Sequence, residues 1–286
     1  MELLQSNYTN NSSSSGSEDE NSGETIRSEP LPKPFEVFDK YQITPNVKKY
    51  ITNAEMNFTK GRWTSFVFIE FRNNATQRAA LDKLLPRINE LLRPVDVEFK
   101  SLYTSELGSP QPLHISLSSN IEFSTSAELD RFSRMLTVEL RQKLTKGFDV
   151  AFGPQLRVHA NSDKTALFLT MECVDTVRCN QISLISSVVH EAVDYCAAEE
   201  PNSKNMGKLD PALAHMSVGI DTTSRATRNS TLRGGSWSDF FGLKLTEVNT
   251  ALASLYLDAD FLRMFQFHCG GVKITKQRAN IWVPFE

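Results

Sequence analysis

No apolar run in the sequence reaches the ~18 residues that a membrane-spanning helix needs. The first residues, Met1-Glu2-Leu3-Leu4-Gln5-Ser6, carry neither the basic start nor the apolar stretch of a secretory signal. The expectation is an intracellular chain with no membrane partner, in which Asn-x-Ser/Thr triplets such as Asn7-Tyr8-Thr9 are chance features. Cysteine is scarce and unpatterned: Cys173, Cys179, Cys196 and Cys269 form no Cys-x-x-Cys pair, and the neighbours His268 and Cys269 would point to opposite faces of a strand. Reduced thiols, partly in the core, are expected, with no metal and no other cofactor. Strong charge of either sign is also missing, the net being −3. Residues 1–33 hold six acids (Glu2, Glu18, Asp19, Glu20, Glu24, Glu29) and two bases (Arg27, Lys33), so the remainder carries 29 bases against 28 acids, or +1. A near-neutral body is not the footprint of a general nucleic-acid binder. It is compatible with a partner held through a few phosphates.

What is present divides into a tail and a folded body. Residues 1–33 are rich in Asn, Ser and Glu and run into Pro30, Pro32 and Pro34; such a segment buries too little apolar surface to offset the entropy of ordering and is expected to be a disordered acidic tail. The body, 34–286, is expected to be a single domain of two lobes. Its 3.6-residue apolar periodicity predicts helices over about 76–92 (kinked or split at Pro86), from a Thr125/Glu128 capping box to about 144, over 176–197, and over 245–255. Alternating apolar residues predict strands at 65–71, 95–99, 155–160, 165–173, 262–268, 271–276 and 280–284, with a turn at Asn161-Ser162-Asp163-Lys164 and loops over 199–211 and 225–237. Strands and helices segregated in this way give an α+β fold with antiparallel sheets flanked by helices.

Two further strands share one design: Leu113-His114-Ile115-Ser116-Leu117-Ser118 and Ala214-His215-Met216-Ser217-Val218-Gly219. Successive strand side chains point to opposite faces. His114 and Ser116 therefore share a face opposite Leu113, Ile115 and Leu117, as His215 and Ser217 do opposite Met216 and Val218. Of five histidines in the chain, two fall in this pattern 101 residues apart. Phosphodiester cleavage needs one group to take a proton from the nucleophile, another to give one to the leaving oxygen, and donors on the phosphoryl oxygens. Two imidazoles titrating near neutrality can share the first two tasks, and two hydroxyls the third. His190 stands outside the repeat and is expected to be a residue of a helix face.

These paired His-x-Ser strands resemble the 2H phosphoesterase superfamily. The chain is further similar to the U6 small nuclear RNA phosphodiesterase family, through Gly61-Arg62-Trp63 leading into Ser65-Phe66-Val67-Phe68-Ile69-Glu70, the two His-x-Ser segments, and the ending Trp282-Val283-Pro284-Phe285. The resemblance implies a two-lobed pseudo-symmetric 2H fold with a central cleft. It also implies a metal-independent 3′ to 5′ exoribonuclease that trims the oligouridine 3′ end of U6 snRNA by 2′-hydroxyl attack, leaving a cyclic or opened phosphate. His114 and His215 would be the catalytic pair and Ser116 and Ser217 the phosphate-binding residues, in a nuclear monomer whose partner is the RNA 3′ end. Two alternatives stay open: a 2′,3′-cyclic phosphodiesterase or ligase-like enzyme of tRNA splicing, and an inactive RNA-binding subunit. The family leads one to expect a base-stacking aromatic shortly before the second His-x-Ser, where this chain has Lys208-Leu209-Asp210-Pro211-Ala212-Leu213.

Overall fold

A computed structural model describes residues 63–161, 164–198, 207–222, 237–276 and 279–285, all within one compact unit. The expectations for residues 1–33, for the start of the body at residue 34 and for the loop 225–237, apart from the helical Trp237, lie outside the described residues.

The framework is a nine-stranded sheet in which each pairing is antiparallel. Its strands are β1 (Trp63–Phe71), β2 (Lys100–Ser101), β3 (Leu113–Ser116), β4 (Ile121–Phe123), β6 (Phe152–Ala160), β7 (Leu167–Cys173), β8 (His215–Asp221), β10 (Gly271–Lys276) and β11 (Ala279–Pro284). Side by side they run β11-β10-β1-β3-β8-β7-β6, with β2 added to β8 and β4 to β1. A separate two-stranded ribbon joins β5 (Phe148–Val150) to β9 (Phe267–Cys269). Alternation along the central strands sends one set of residues to the core, although Phe68 and Thr170 on the opposite face are fully buried as well. Val67, Ile69, Phe71, Leu113, Ile115, Leu117, Met216 and Val218 all lie in one hydrophobic cluster at 4% exposure or less. Burying a side chain of this size contributes ~1.5–3 kcal/mol, so a one-residue slip of β3 or β8 would forfeit several such terms and turn the His-x-Ser face inward.

The helices are α1 (Ala75–Leu92), α2 (Ser126–Lys143), α3 (Ser183–Ala198), α4 (Trp237–Leu252) and α5 (Ala259–Phe265). Asn74 caps α1, accepting from the Gln77 amide while Gln77 Oε1 accepts from the Asn74 amide. No break occurs at Pro86: α1 continues through it, because the lost donor is outweighed by the buried stripe Leu81, Leu84, Ile88 and Leu92. Thr125 caps α2 by accepting from the Glu128 amide at 3.2 Å, while the Glu128 carboxylate reaches the amide of Ser124 rather than that of the cap.

Three sequence expectations are corrected. The strand over 95–99 is replaced by a 3₁₀ turn, Arg93–Val95, and a left-handed Asp96, after which the Asn89 side chain takes both the N–H and the C=O of Phe99 at 2.9 Å, so no ladder can form there. The helix over 245–255 starts earlier, at Trp237, and ends at Leu252. The strand over 262–268 is mostly helix: Asp258 accepts from the Phe261 amide at 2.7 Å and caps α5, stacking Phe261 on Phe265 one turn later, and only Phe267–Cys269 is strand. In that strand His268 is exposed and Cys269 buried, as alternation requires.

Candidate active site

The two His-x-Ser strands, 101 residues apart in sequence, are immediate neighbours in the sheet. β3 pairs with β8 antiparallel with Ile115 opposite Met216. Continuing that register by one residue in each direction sets His114 across from Ser217 and Ser116 across from His215, all four on the face away from the core. Directly opposed residues have Cβ atoms about 4.5–5.5 Å apart and diagonal ones about 7–8 Å. The two imidazoles occupy one diagonal and the two hydroxyls the other.

Each histidine also has a carboxylate opposite it on the outer side. Glu70 of β1 is opposite His114, and Glu172 of β7 is opposite His215. Two rows therefore cross the sheet: Glu70, His114, Ser217, Thr170 and Arg157, and Lys273, Phe68, Ser116, His215 and Glu172. Neither carboxylate is bare. Lys273 Nζ donates to Glu70 Oε1 and Arg72 Nε to Glu70 Oε2, each at 2.8 Å. Glu172 lies 3.4 Å from Arg157 Nε, 3.8 Å from Arg178 and 3.3 Å from His159 Nε2.

His114 sits edge-on to two rings of β1, Phe66 at 5.6 Å and Phe68 at 5.7 Å between centroids. This apolar wall strips water from the imidazole and holds its pKa down at about 4; the nearby His215 acts in the same direction and Glu70 against it. His215 is likewise held at about 4, chiefly by burial; its hydrogen bond to the Leu213 carbonyl and the charge of Glu172 oppose the shift, and His159 adds to it. That hydrogen bond, Nδ1 to Leu213 O at 2.6 Å, makes Nδ1 the protonated nitrogen and leaves Nε2 for chemistry. The carbonyl is presented by a 3₁₀ turn, Pro211–Leu213, capped by Asp210, which accepts from the Ala212 amide. Arg178, on the π turn Arg178–Ile182 that leads into α3, donates to the Ala212 carbonyl at 2.9 Å and braces the same turn. A π turn re-aims side chains that a regular helix would carry elsewhere, and such turns recur at functional sites.

All four predicted residues are thus brought together. Ser118, part of the first motif segment, is different: it is fully buried, and its Oγ accepts from the Val67 amide at 2.9 Å, closing the β1–β3 ladder. His190 lies on α3, as expected of a helix-face residue. No aromatic side chain occupies 208–213, where Lys208 instead pairs with Asp194 and Leu213 is exposed. Sequence reasoning missed a third histidine. His159 of β6 stacks on His215 with centroids 4.7 Å apart and planes 8° from parallel. The available signal was alternation, since Arg157 and His159 point away from Leu156 and Val158, onto the site's face. Among the described residues no cluster of three or more His, Cys, Asp or Glu side chains fits a metal ion.

A family model described as HVSL, an uncharacterised conserved protein, matches residues 36–238. No curated protein matches the chain. Solved structures that share its fold include two of Usb1 from Kluyveromyces marxianus. One has a TM-score of 0.64 at 20% identity, covering 77% of this chain and 97% of that one. The other, with uridine monophosphate, has a TM-score of 0.64 at 22% identity and the same coverage. The fold they have in common is the 2H phosphoesterase fold, mixed helix and antiparallel sheet.

Proposed function

Since the chain belongs to the HVSL family, the family of Usb1, we propose that it is an RNA phosphodiesterase that trims the oligouridine 3′ end of U6 snRNA as a 3′ to 5′ exoribonuclease. The observation that carries this reading is the crossed square of His114, Ser217, His215 and Ser116 set by the Ile115–Met216 register. The uridine monophosphate in the Kluyveromyces marxianus Usb1 structure supports a uridine end as the substrate.

In the proposed reaction the last phosphodiester lies between the two rings. One imidazole takes the proton of the 2′-hydroxyl of the penultimate ribose, whose oxygen attacks the adjacent phosphorus. The other imidazole gives its proton to the 5′-oxygen of the terminal nucleoside as the P–O bond breaks. Ser116 and Ser217 donate to the phosphoryl oxygens, and the RNA is left with a 2′,3′-cyclic phosphate. Opening that ring with water uses the same four groups with acid and base exchanged. Burial by itself favours neutral imidazoles; the phosphodiester's negative charge between them favours the protonated form of the acid when substrate binds. On this reading the enzyme needs no metal, acts as a monomer in the nucleus, and is carried by residues 34–286, with 1–33 as a dispensable tail.

The test uses purified protein and a uridine-tailed RNA with mass analysis of its 3′ end. The expected product is shortened by uridines and ends in a cyclic or opened phosphate, and a chelator makes no difference. A single 2′-deoxy sugar 5′ of the scissile phosphate is expected to stop trimming at that position. Cleavage across the deoxy position, or loss of activity with chelator, would overturn the mechanism, because a metal-activated water tolerates the deoxy sugar and requires the metal.

A further inference from the structure

Around His215 the structure gathers more than the four motif residues require. The His159 ring, carried two strands away on β6, leans across β7 to lie face to face with the His215 imidazole. Its Nε2 is 3.3 Å from Glu172 Oε1, the carboxylate that stands opposite His215 on β7. His215 is thus fixed on two sides, at Nδ1 by the Leu213 carbonyl and over its face by His159. Among the described residues His114 has no such partner ring of its own kind: the rings beside it, Phe66 and Phe68, are hydrocarbon and meet it edge-on.

We infer that His159 is a positioning residue for His215, a titratable ring clamped over the imidazole and tied to Glu172, so that the proton shared by His159 and Glu172 governs how readily His215 takes up its own. The inference rests on the assignment of His215 above but concerns a residue outside the His-x-Ser pattern. Its physics is simple. Two flat rings at 4.7 Å exclude water from the space between them, so a charge on one is felt strongly by the other. A protonated His159 repels a proton from His215, while ionised Glu172 attracts one; the pair together makes the local field depend on a single proton. The other titratable or charged groups facing His215 are His114 across the diagonal from β3, and Arg157 on β6 and Arg178 on the π turn, which both hold Glu172. The two guanidinium groups remain charged over the whole working range and set a fixed field, whereas His114 gains its proton only near 4, as His215 does.

The measurement is an NMR titration of the histidine ring signals from about pH 8 down to about 2.5, well past the His215 midpoint of about 4, on the full chain without RNA, with His215 assigned by loss of its peak in His215→Gln. In His159→Phe, which keeps a flat ring over His215 and removes the charge, the His215 midpoint is expected to rise by ~1–2 units, the effect of a like charge about 5 Å away at the effective dielectric of a half-buried pair. In Glu172→Gln it is expected to fall. A His215 midpoint unchanged in His159→Phe would overturn the inference, since a purely steric support is preserved in that variant. His159→Ala adds the positioning readout: kcat on RNA down ~10-fold with KM little changed, and partial rescue in His159→Phe. Equal kcat in His159→Ala and the parent chain would remove the positioning role. The titration needs no substrate, so it stands or falls independently of whether the RNA reaction proposed above is correct.

Discussion

At the scale of single residues, the site works because burial and charge are set against each other. The aromatic wall of Phe66 and Phe68 dries His114, the stacked His159 and the strand packing dry His215, and each carboxylate opposite restores part of the proton affinity that drying removes. In the proposed reaction each imidazole handles a separate proton, so His114→Ala and His215→Ala are each expected to lower the cleavage rate by ~10²- to 10⁴-fold without loss of the melting transition; normal turnover in either would refute the assignment. Ser116→Ala and Ser217→Ala are expected to cost less, ~10-fold, since water or a main-chain donor can take over one phosphoryl contact. Single-turnover rates on the uridine-tailed RNA rank the four variants. The two serines were legible in the sequence because alternation puts them on the histidine face. His159, Glu70 and Glu172 were not, because nothing within a strand states which strand lies next to it.

At the scale of elements, the secondary structure that sequence reading missed was decided by side chains satisfying main-chain groups. Asn89 occupies the amide and carbonyl of Phe99, and Asn249 of α4 does the same for Val158, accepting from its N–H at 2.8 Å and donating to its C=O at 3.0 Å. Val158 lies on β6, the last strand of the main sheet order, so Asn249 supplies what a further strand would have given. Asn249→Ala leaves both groups unpaired at a half-buried position. The expected loss is about 2 kcal/mol, read as a melting temperature lower by roughly 4–8 °C, whereas Thr250→Ala on the exposed side of the same helix is expected to change stability by less than about 0.5 kcal/mol. Equal melting temperatures for the two variants would mean that water replaces the asparagine. Asp258 tells a related story: one capping bond converts an alternating run into the helix Ala259–Phe265, and alternation alone could not reveal it.

At the scale of the whole molecule, the held-down imidazoles tie stability to pH. His114 and His215 take up protons at about 4 when folded, against an ordinary value of 6.5. Between those values the unfolded chain binds more protons than the folded one, so stability falls as pH is lowered from about 7 towards 4 and the contribution of these two groups then levels off. The melting temperature of the full chain is expected to drop over that interval, and the drop to shrink in His114→Gln and His215→Gln; identical profiles would show that the imidazoles are not dried by the fold. What the sequence determined by itself was local: the two-residue alternation that put His and Ser on one face and Ile115, Met216 and their neighbours on the other, the caps at Thr125, and the repeat of one motif 101 residues later. What only the tertiary structure decided was the adjacency of β3 and β8, the Ile115–Met216 register that crosses the two motifs, and the arrival of His159 and Glu172 from β6 and β7. The reason is physical. A side chain's face follows from its own strand's geometry, while pairing partner and register follow from how separate apolar faces close into one core, and residues far apart in the chain share that core without any local mark of it.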